Sequence, residues 1–259
     1  MTNERVLGPS TCESNEVADR RFAGVARLYG EDAFKAFGQA TVAVIGLGGV
    51  GSWAAEALAR SAVGHLVLID FDHIAPSNVN RQLHAIEGSF GKAKVLAMAE
   101  RLQAINPMIT ITMHDVFAEP ANLEQIIPHN SFVLDACDDV SAKVALASFC
   151  KKQKIQLVMC GGAGGKVNPR FLNADDLAKA THDPLLAKIR AELRKNHSFT
   201  KDLKLPMGIR AVYSAENMRG DGSSGLACSG YGSTVNVTAS FGFLAAAEIL
   251  SAIQSQTTN

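Results

Sequence analysis

Several groups of residues in this chain have the types and spacing to handle a nucleotide. VIGLGGVGS places Gly46, Gly48 and Gly51 in G-x-G-x-x-G spacing, with Gly49 between them, directly after an apolar run and before a helical one. Glycines so placed allow a tight turn, let backbone approach a phosphate and let the helix pack on the strand. The helix N-terminus adds free N–H groups and a positive dipole end. LIDFD follows, with Asp70 about 20 residues on, where its carboxylate can accept both ribose hydroxyls, and Asp72 beside it as a further nucleotide-binding candidate.

The glycine loop alone does not separate a nicotinamide dinucleotide from ATP. Asn80-Arg81-Gln82 bears on that choice. A triphosphate carries more negative charge than a pyrophosphate, and Arg81 offers a planar, permanent cation suited to phosphate oxygens. Asn80 can add a neutral donor, and Lys94, early on the next helical run, a point charge. DACDD holds Asp135, Asp138 and Asp139 at and just past a strand end, the crevice edge of an open α/β sheet. Magnesium on ATP takes one or two carboxylates and keeps waters, and Asp138 is the expected ligand. Taken singly, Lys94 also fits a solvated helix face, Arg81 a surface loop, and Asp135 or Asp139 a helix cap. His73, His84 and His114 form no arrangement that suggests hydride transfer.

The elements that must position these groups alternate. TVAVIG (41–46), HLVLID (65–70), ITITMH (109–114), SFVLDAC (131–137) and IQLVMC (155–160) read as buried strands. Between them, 49–63, GKAKVLAMAERLQAIN (91–106), ANLEQII and VSAKVALASFCKKQK read as helices. The expected fold is α/β, Rossmann-like, with a mostly parallel doubly wound sheet and a C-terminal α/β elaboration. KVNPRFL is expected to be a further strand, DPLLAKIRAELRK (183–195) a helix with Pro184 at its first position, and AVYSA a strand within the loop-like stretch 208–227. TASFGFLAAAEILSAI reads as a buried C-terminal helix; membrane association through it is the alternative. Residues 1–20 are expected to be a disordered tail and 21–259 one domain, with a nucleotide-binding core at 41–165 and an elaboration for substrate and dimer contacts at 166–255.

Composition narrows the class further. The 259 residues carry 25 basic and 25 acidic side chains, so bulk charge does not hold the protein to nucleic acid. A local patch is needed, and Lys188, Arg190, Arg194, Lys195, Lys201 and Lys204 cluster in sequence. A solvated helix face explains them equally well. The five cysteines contain no C-x-x-C pair, which argues against structural zinc and suits reduced thiols in the cytoplasm.

GLGGVGS, LIDFD, Asn80-Arg81-Gln82, GKAK with Lys94, AINP and DACDD, in this order, resemble the ubiquitin-activating-enzyme-like adenylyltransferase superfamily. RFAGVARLYGEDAF, NVNRQLHA, GGAGGKVNP, DLAKATHDPLLAKIR and CSGYGSTVNVTASFGF are similar to its tRNA threonylcarbamoyladenosine dehydratase (cyclase) family, over most of 21–250. The resemblance implies ATP-dependent adenylation of the threonyl carboxylate of threonylcarbamoyladenosine in tRNA, then ring closure with net loss of water. It implies a homodimer, magnesium, a monovalent cation (potassium or sodium), and sulfur-relay partners such as a cysteine desulfurase or sulfur acceptor; DNA is not expected. The arginine that sulfur-carrier activators place across the dimer falls on Gly24 here, leaving Arg21 or Arg27 as substitutes. Cys228 lies where larger relatives form a thioester, and an inert thiol is the expectation because ring closure needs no covalent enzyme intermediate. Two other readings stay open: an activator of a sulfur-carrier or ubiquitin-like protein, and a NAD-binding Rossmann protein.

Overall fold

The structure is a computed structural model that describes residues 4–9, 15–219 and 231–257, with the backbone alone for 15–19. Strands β2 (Thr41–Ile45), β3 (His65–Ile69), β4 (Thr110–His114), β5 (Phe132–Asp135), β6 (Leu157–Cys160) and β8 (Arg210–Ser214) run parallel. β1 (Glu4–Leu7) and β7 (Leu172–Asp176) close the two edges antiparallel, in the order β1-β4-β3-β2-β5-β6-β8-β7. The chain winds from β2 through β3 to β4 on one side, then returns to place β5 on the other side of β2. The carboxyl ends of β2 and β5 therefore flank the crevice where strand order reverses, the ligand position in this architecture.

Alternation along each strand builds two core layers. Val42, Val44, Leu66 and Leu68 face one side; Ala43, Ile45, Val67 and Ile69 face the other. The first side is covered by α2 (Glu31–Gln39), α3 (Gly51–Arg60), α4 (Lys94–Ile105) and α8 (Val235–Thr257); α1 (Asn15–Tyr29) packs on α2. The second side is covered by α5 (Leu123–Ile126), α6 (Val140–Gln153) and α7 (Pro184–Asn196).

Helix α8 is long and apolar enough, by length and composition, to cross a membrane, and 56% of that window is buried within the protein. It buries Phe241, Ala245 and Ile249 against the sheet and α3. A Cβ at Gly242 would lie 2.5 Å from the Val50 carbonyl, so this glycine lets the two helices cross closely.

Two expectations need correction. The tail is partly ordered: Glu4–Leu7 pairs with β4, Glu4 opposite His114, and α1 begins at Asn15. A four-residue edge strand is held by the free backbone groups of β4, so its side chains, exposed at Glu4, Arg5 and Val6 and packed on the core at Leu7 alone, carry no alternating core signal. KVNPRFL is not the strand. Pro169 cannot donate to a ladder, and Asn168 Oδ1 caps a tight turn over Pro169–Phe171 by accepting the Arg170 N–H at 3.0 Å. The strand starts one residue beyond that turn, at Leu172. Cys12 and Cys228 lie outside the described residues.

Candidate functional site

A cavity of about 1010 Å³ opens at the carboxyl ends of β2, β3 and β5. Gly46, Gly48 and Gly49 line its floor. A Cβ on Gly48 would meet nothing within 4 Å, so the loop leaves room for a ligand there. Gly51 does not line the cavity. A Cβ on it would fall 1.8 Å from the Gly46 carbonyl oxygen, so its part is to seat α3 on the turn rather than to touch a nucleotide.

Both aspartates of LIDFD line the cavity but differ in state. Asp70 is 8% exposed at its side chain. Its Oδ2 accepts the Leu47 N–H at 2.5 Å and its Oδ1 the Asp72 N–H at 2.8 Å. Asp70 thus braces the glycine loop, and desolvation raises its pKa above the ordinary carboxylate value despite the nearby Lys94 charge. Asp72 is 61% exposed and is the more open carboxylate. Lys94, the first residue of α4, is buried, with Nζ 2.7 Å from Asp72 Oδ2 and 3.8 Å from Asp70 Oδ1. It is a cation held at the cavity wall, not a solvated helix-face lysine.

Arg81 lines the same cavity on a loop that follows the turn Pro76–Asn78. Its Nη1 donates to Ser77 O at 2.8 Å and to Asn80 Oδ1 at 2.9 Å, and it forms no ion pair with a described carboxylate. Its backbone carbonyl accepts the Trp53 indole N–H at 2.9 Å. Asn80 is off the cavity wall: its amide nitrogen donates to Ser233 O at 2.8 Å, and its oxygen steers Arg81. The asparagine that lines the cavity is buried Asn78, whose Oδ1 accepts the Ala75 N–H at 2.9 Å. PSNVNRQ offers both residues, and only the turn geometry separates them.

The three acids of DACDD have separate fates. Asp138 is exposed on the cavity wall and makes no side-chain hydrogen bond or ion pair with the described residues. Asp139 caps α6, accepting the Ala142 N–H at 2.7 Å. Asp135 is fully buried 3.0 Å from the equally buried Lys143 Nζ, which also donates to Cys160 O at 2.7 Å. Asp135 Oδ1 accepts from the Cys137 N–H at 3.2 Å and its thiol at 3.0 Å, fixing the turn that presents Asp138. Burial and the Asp135 charge hold the Cys137 thiol well above its ordinary pKa, which disfavours its thiolate form. Sequence reasoning missed Lys143; the signal was a cation on the apolar face shared with Ala147 and Cys150. It also missed Phe71 and Phe117, half-exposed rings stacked 4.5 Å apart on the cavity wall.

The basic cluster does not form one surface. Lys188, Lys195, Lys201 and Lys204 are exposed. Arg190 instead donates to Leu177 O and Ala180 O at 3.0 and 2.8 Å, and the Nε and Nη2 atoms of Arg194 are buried. Both arginines flank the buried stripe of Ile189 and Leu193, so packing claims them. Arg21 donates to Ile105 O at 3.5 Å, and neither Arg21 nor Arg27 lines the cavity within this one chain.

His84 supplies a pH test. It is buried beside Lys94 with both ring nitrogens unpartnered among the described residues; desolvation, then the Lys94 charge, pushes its imidazole down to about 4. The folded protein therefore binds fewer protons than the unfolded chain, whose imidazole titrates at 6.5. The stability from keeping His84 neutral is fully present above that value and is lost as pH falls toward about 4, by roughly 3 kcal/mol. Urea unfolding across this window is expected to show a steeper acid loss in the wild type than in His84→Phe.

The ThiF family model matches residues 20–259. The chain is 42% identical over 247 residues to the tRNA threonylcarbamoyladenosine dehydratase of Escherichia coli K12, covering 89% of this chain and 92% of that protein. The crystal structure of the E. coli enzyme in complex with ATP superposes with a TM-score of 0.86 at 42% identity, covering 93% of this chain and 96% of that one. Its complex with AMP gives 0.88 at 41%, covering 96% and 100%. With its mostly parallel sheet, its glycine loop at the switch point and this likeness along almost the whole length, the chain belongs to the ThiF family, among the tRNA threonylcarbamoyladenosine dehydratases.

Proposed function

We propose that the protein uses ATP to adenylate the threonyl carboxylate of threonylcarbamoyladenosine in tRNA and so drives its cyclisation. One observation carries this reading. A cation without a carboxylate partner among the described residues, Arg81, and a carboxylate likewise unpaired among them, Asp138, line one cavity whose floor is a glycine loop. A nicotinamide dinucleotide gives neither group a task; a metal-bound triphosphate gives both one.

The adenine rests by the Phe71 and Phe117 rings, and the ribose hydroxyls meet Asp72, with Asp70 bracing the loop behind. The phosphates cross Gly48 and Gly49 toward Arg81, while Lys94 stands by to exchange its Asp72 contact for a phosphate oxygen. Asp138 would hold magnesium, an ion that takes one or two carboxylates when bound with ATP, and no group of three or more metal-ligating His, Cys, Asp or Glu side chains competes with it among the described residues. Bound there, magnesium would neutralise phosphate charge. No residue is assigned to a monovalent cation.

The obstacle is that one anion must attack another. Fixed cations lower that repulsion and stabilise the departing pyrophosphate. A carboxylate oxygen bonds to the α-phosphorus, the bond to pyrophosphate breaks, and the oxide that could not leave becomes part of AMP. The tethered carbamoyl group then attacks the activated carbonyl, loses a proton and expels AMP. High effective molarity drives this step without an enzyme nucleophile. The oxygen formally lost as water departs on AMP. The protein acts as a cytoplasmic homodimer on tRNA, with exposed Lys188, Lys195, Lys201 and Lys204 available to phosphates and a sulfur-relay protein as a further partner.

Substrate-dependent ATP–pyrophosphate exchange tests the first step. Asp138→Asn is expected to slow exchange about a hundredfold and to raise the magnesium concentration for half-maximal rate. An unchanged magnesium titration would remove Asp138 from the site.

A further inference from the structure

A second depression, about 710 Å³, lies between α6 and α7 and adjoins the nucleotide cavity: Pro120, Asp139 and Ser141 line both. Its floor is apolar, with Val144, Ala145 and half-buried Phe149. From Ser141 to Ser148 it follows two turns of α6, about 10 Å. Its polar groups stand at the far end and rim. Ser148 Oγ meets His197 Nδ1 at 3.0 Å, and exposed Lys188 forms no ion pair with the described residues. The two acids there are engaged: Asp139 caps α6, and Glu192 accepts from Asn196 at 2.6 Å.

Resting on the proposed activity, we infer that this trough is a subsite for the unpaired nucleotide next to the modified adenosine, its base on the apolar floor by Phe149 and its phosphate on Lys188. The reacting nucleoside is part of a chain, and that chain must leave the cavity along the surface. The trough adjoins the cavity, has the volume of a small-ligand site, and pairs an aromatic floor with a cation that no described carboxylate engages. That combination takes single-stranded RNA, whose splayed bases stack on aromatic side chains while lysines meet the backbone. An apolar protein segment would leave Lys188 without a partner.

Two variants away from the ATP machinery test this. Ala145→Trp fills the trough, and Lys188→Glu reverses its rim charge at an exposed position where folding is not at risk. Each is expected to raise the KM for tRNA about tenfold, with the dissociation constant for ATP unchanged within about twofold. Lys188→Glu is also expected to lower the salt slope of tRNA binding by about one. A wild-type tRNA KM in both variants would overturn the inference and leave the trough to a protein surface. An equal rise in the ATP dissociation constant would overturn it by making the trough part of the ATP cavity. Wild-type protein that cyclises nothing would overturn the proposed activity as well, whereas active wild type with unaltered variants overturns the trough alone.

Discussion

Replacing Arg81 by alanine is expected to lower kcat/KM for cyclisation about a thousandfold, the scale of removing one cation from a phosphoryl-transfer site. The fold should barely respond. The side-chain hydrogen bonds of Arg81 are to Ser77 and Asn80 on its own loop, and Trp53 bonds its backbone carbonyl, which alanine retains. A melting temperature within about 2 °C of wild type would therefore accompany the loss. Arg81→Lys keeps the charge but not the planar fork, and is expected to recover part of the rate. Single-turnover measurement of AMP formation separates this from slow release. Full activity in Arg81→Ala would mean that the triphosphate lies elsewhere.

The second large effect falls on stability. Asp135→Asn leaves the Lys143 ammonium fully buried with neutral acceptors such as the Cys160 carbonyl and no counter-charge, and the expected cost is about 3–5 kcal/mol. Asp135 holds the folded-state pKa of Lys143 above its ordinary value, against desolvation, so this lysine enters the core charged. In a protein of this size the change lowers the melting temperature by on the order of 10 °C. Removing both charges, in Asp135→Asn with Lys143→Met, should restore much of the loss, because the penalty comes from the unpaired ion rather than from a missing attraction. Denaturant midpoints of both single variants and the double variant give the coupling. Additive effects would show that the pair is not coupled.

What the sequence made legible follows from what local physics fixes. TVAVI, HLVLI and FVLD are β-branched, apolar and short, so they read as buried strands, and the glycine loop and DACDD mark the ends that meet at the switch point. Arg81, Lys94 and Asp138 were legible as candidates because their chemistry suits a triphosphate, and the structure places all three on one cavity. Lys94 showed the limit of reading one helix at a time: its burial depends on Asp70 and Asp72, which arrive from another element. Asn80 and Asn78 are chemically alike, and only the turn at Pro76–Asn78 decides which one faces the cavity. β1 has no apolar pattern because an edge strand is stabilised by its neighbour's backbone. The Asp135–Lys143 pair was illegible because it joins a strand end to a helix across the core. The same holds for Phe71 and Phe117, brought together from the ends of β3 and β4.

The central claim is that the threonyl carboxylate itself attacks the α-phosphorus of ATP. Threonylcarbamoyladenosine in tRNA, labelled at that carboxylate with the heavy isotope of oxygen, tests it when incubated with the protein, ATP and magnesium and followed by mass spectrometry of products. The expected result is one labelled oxygen in AMP, one kept in the cyclised nucleoside, and none in pyrophosphate. Label in inorganic phosphate with ADP as co-product, or cyclisation with unlabelled AMP, would contradict it.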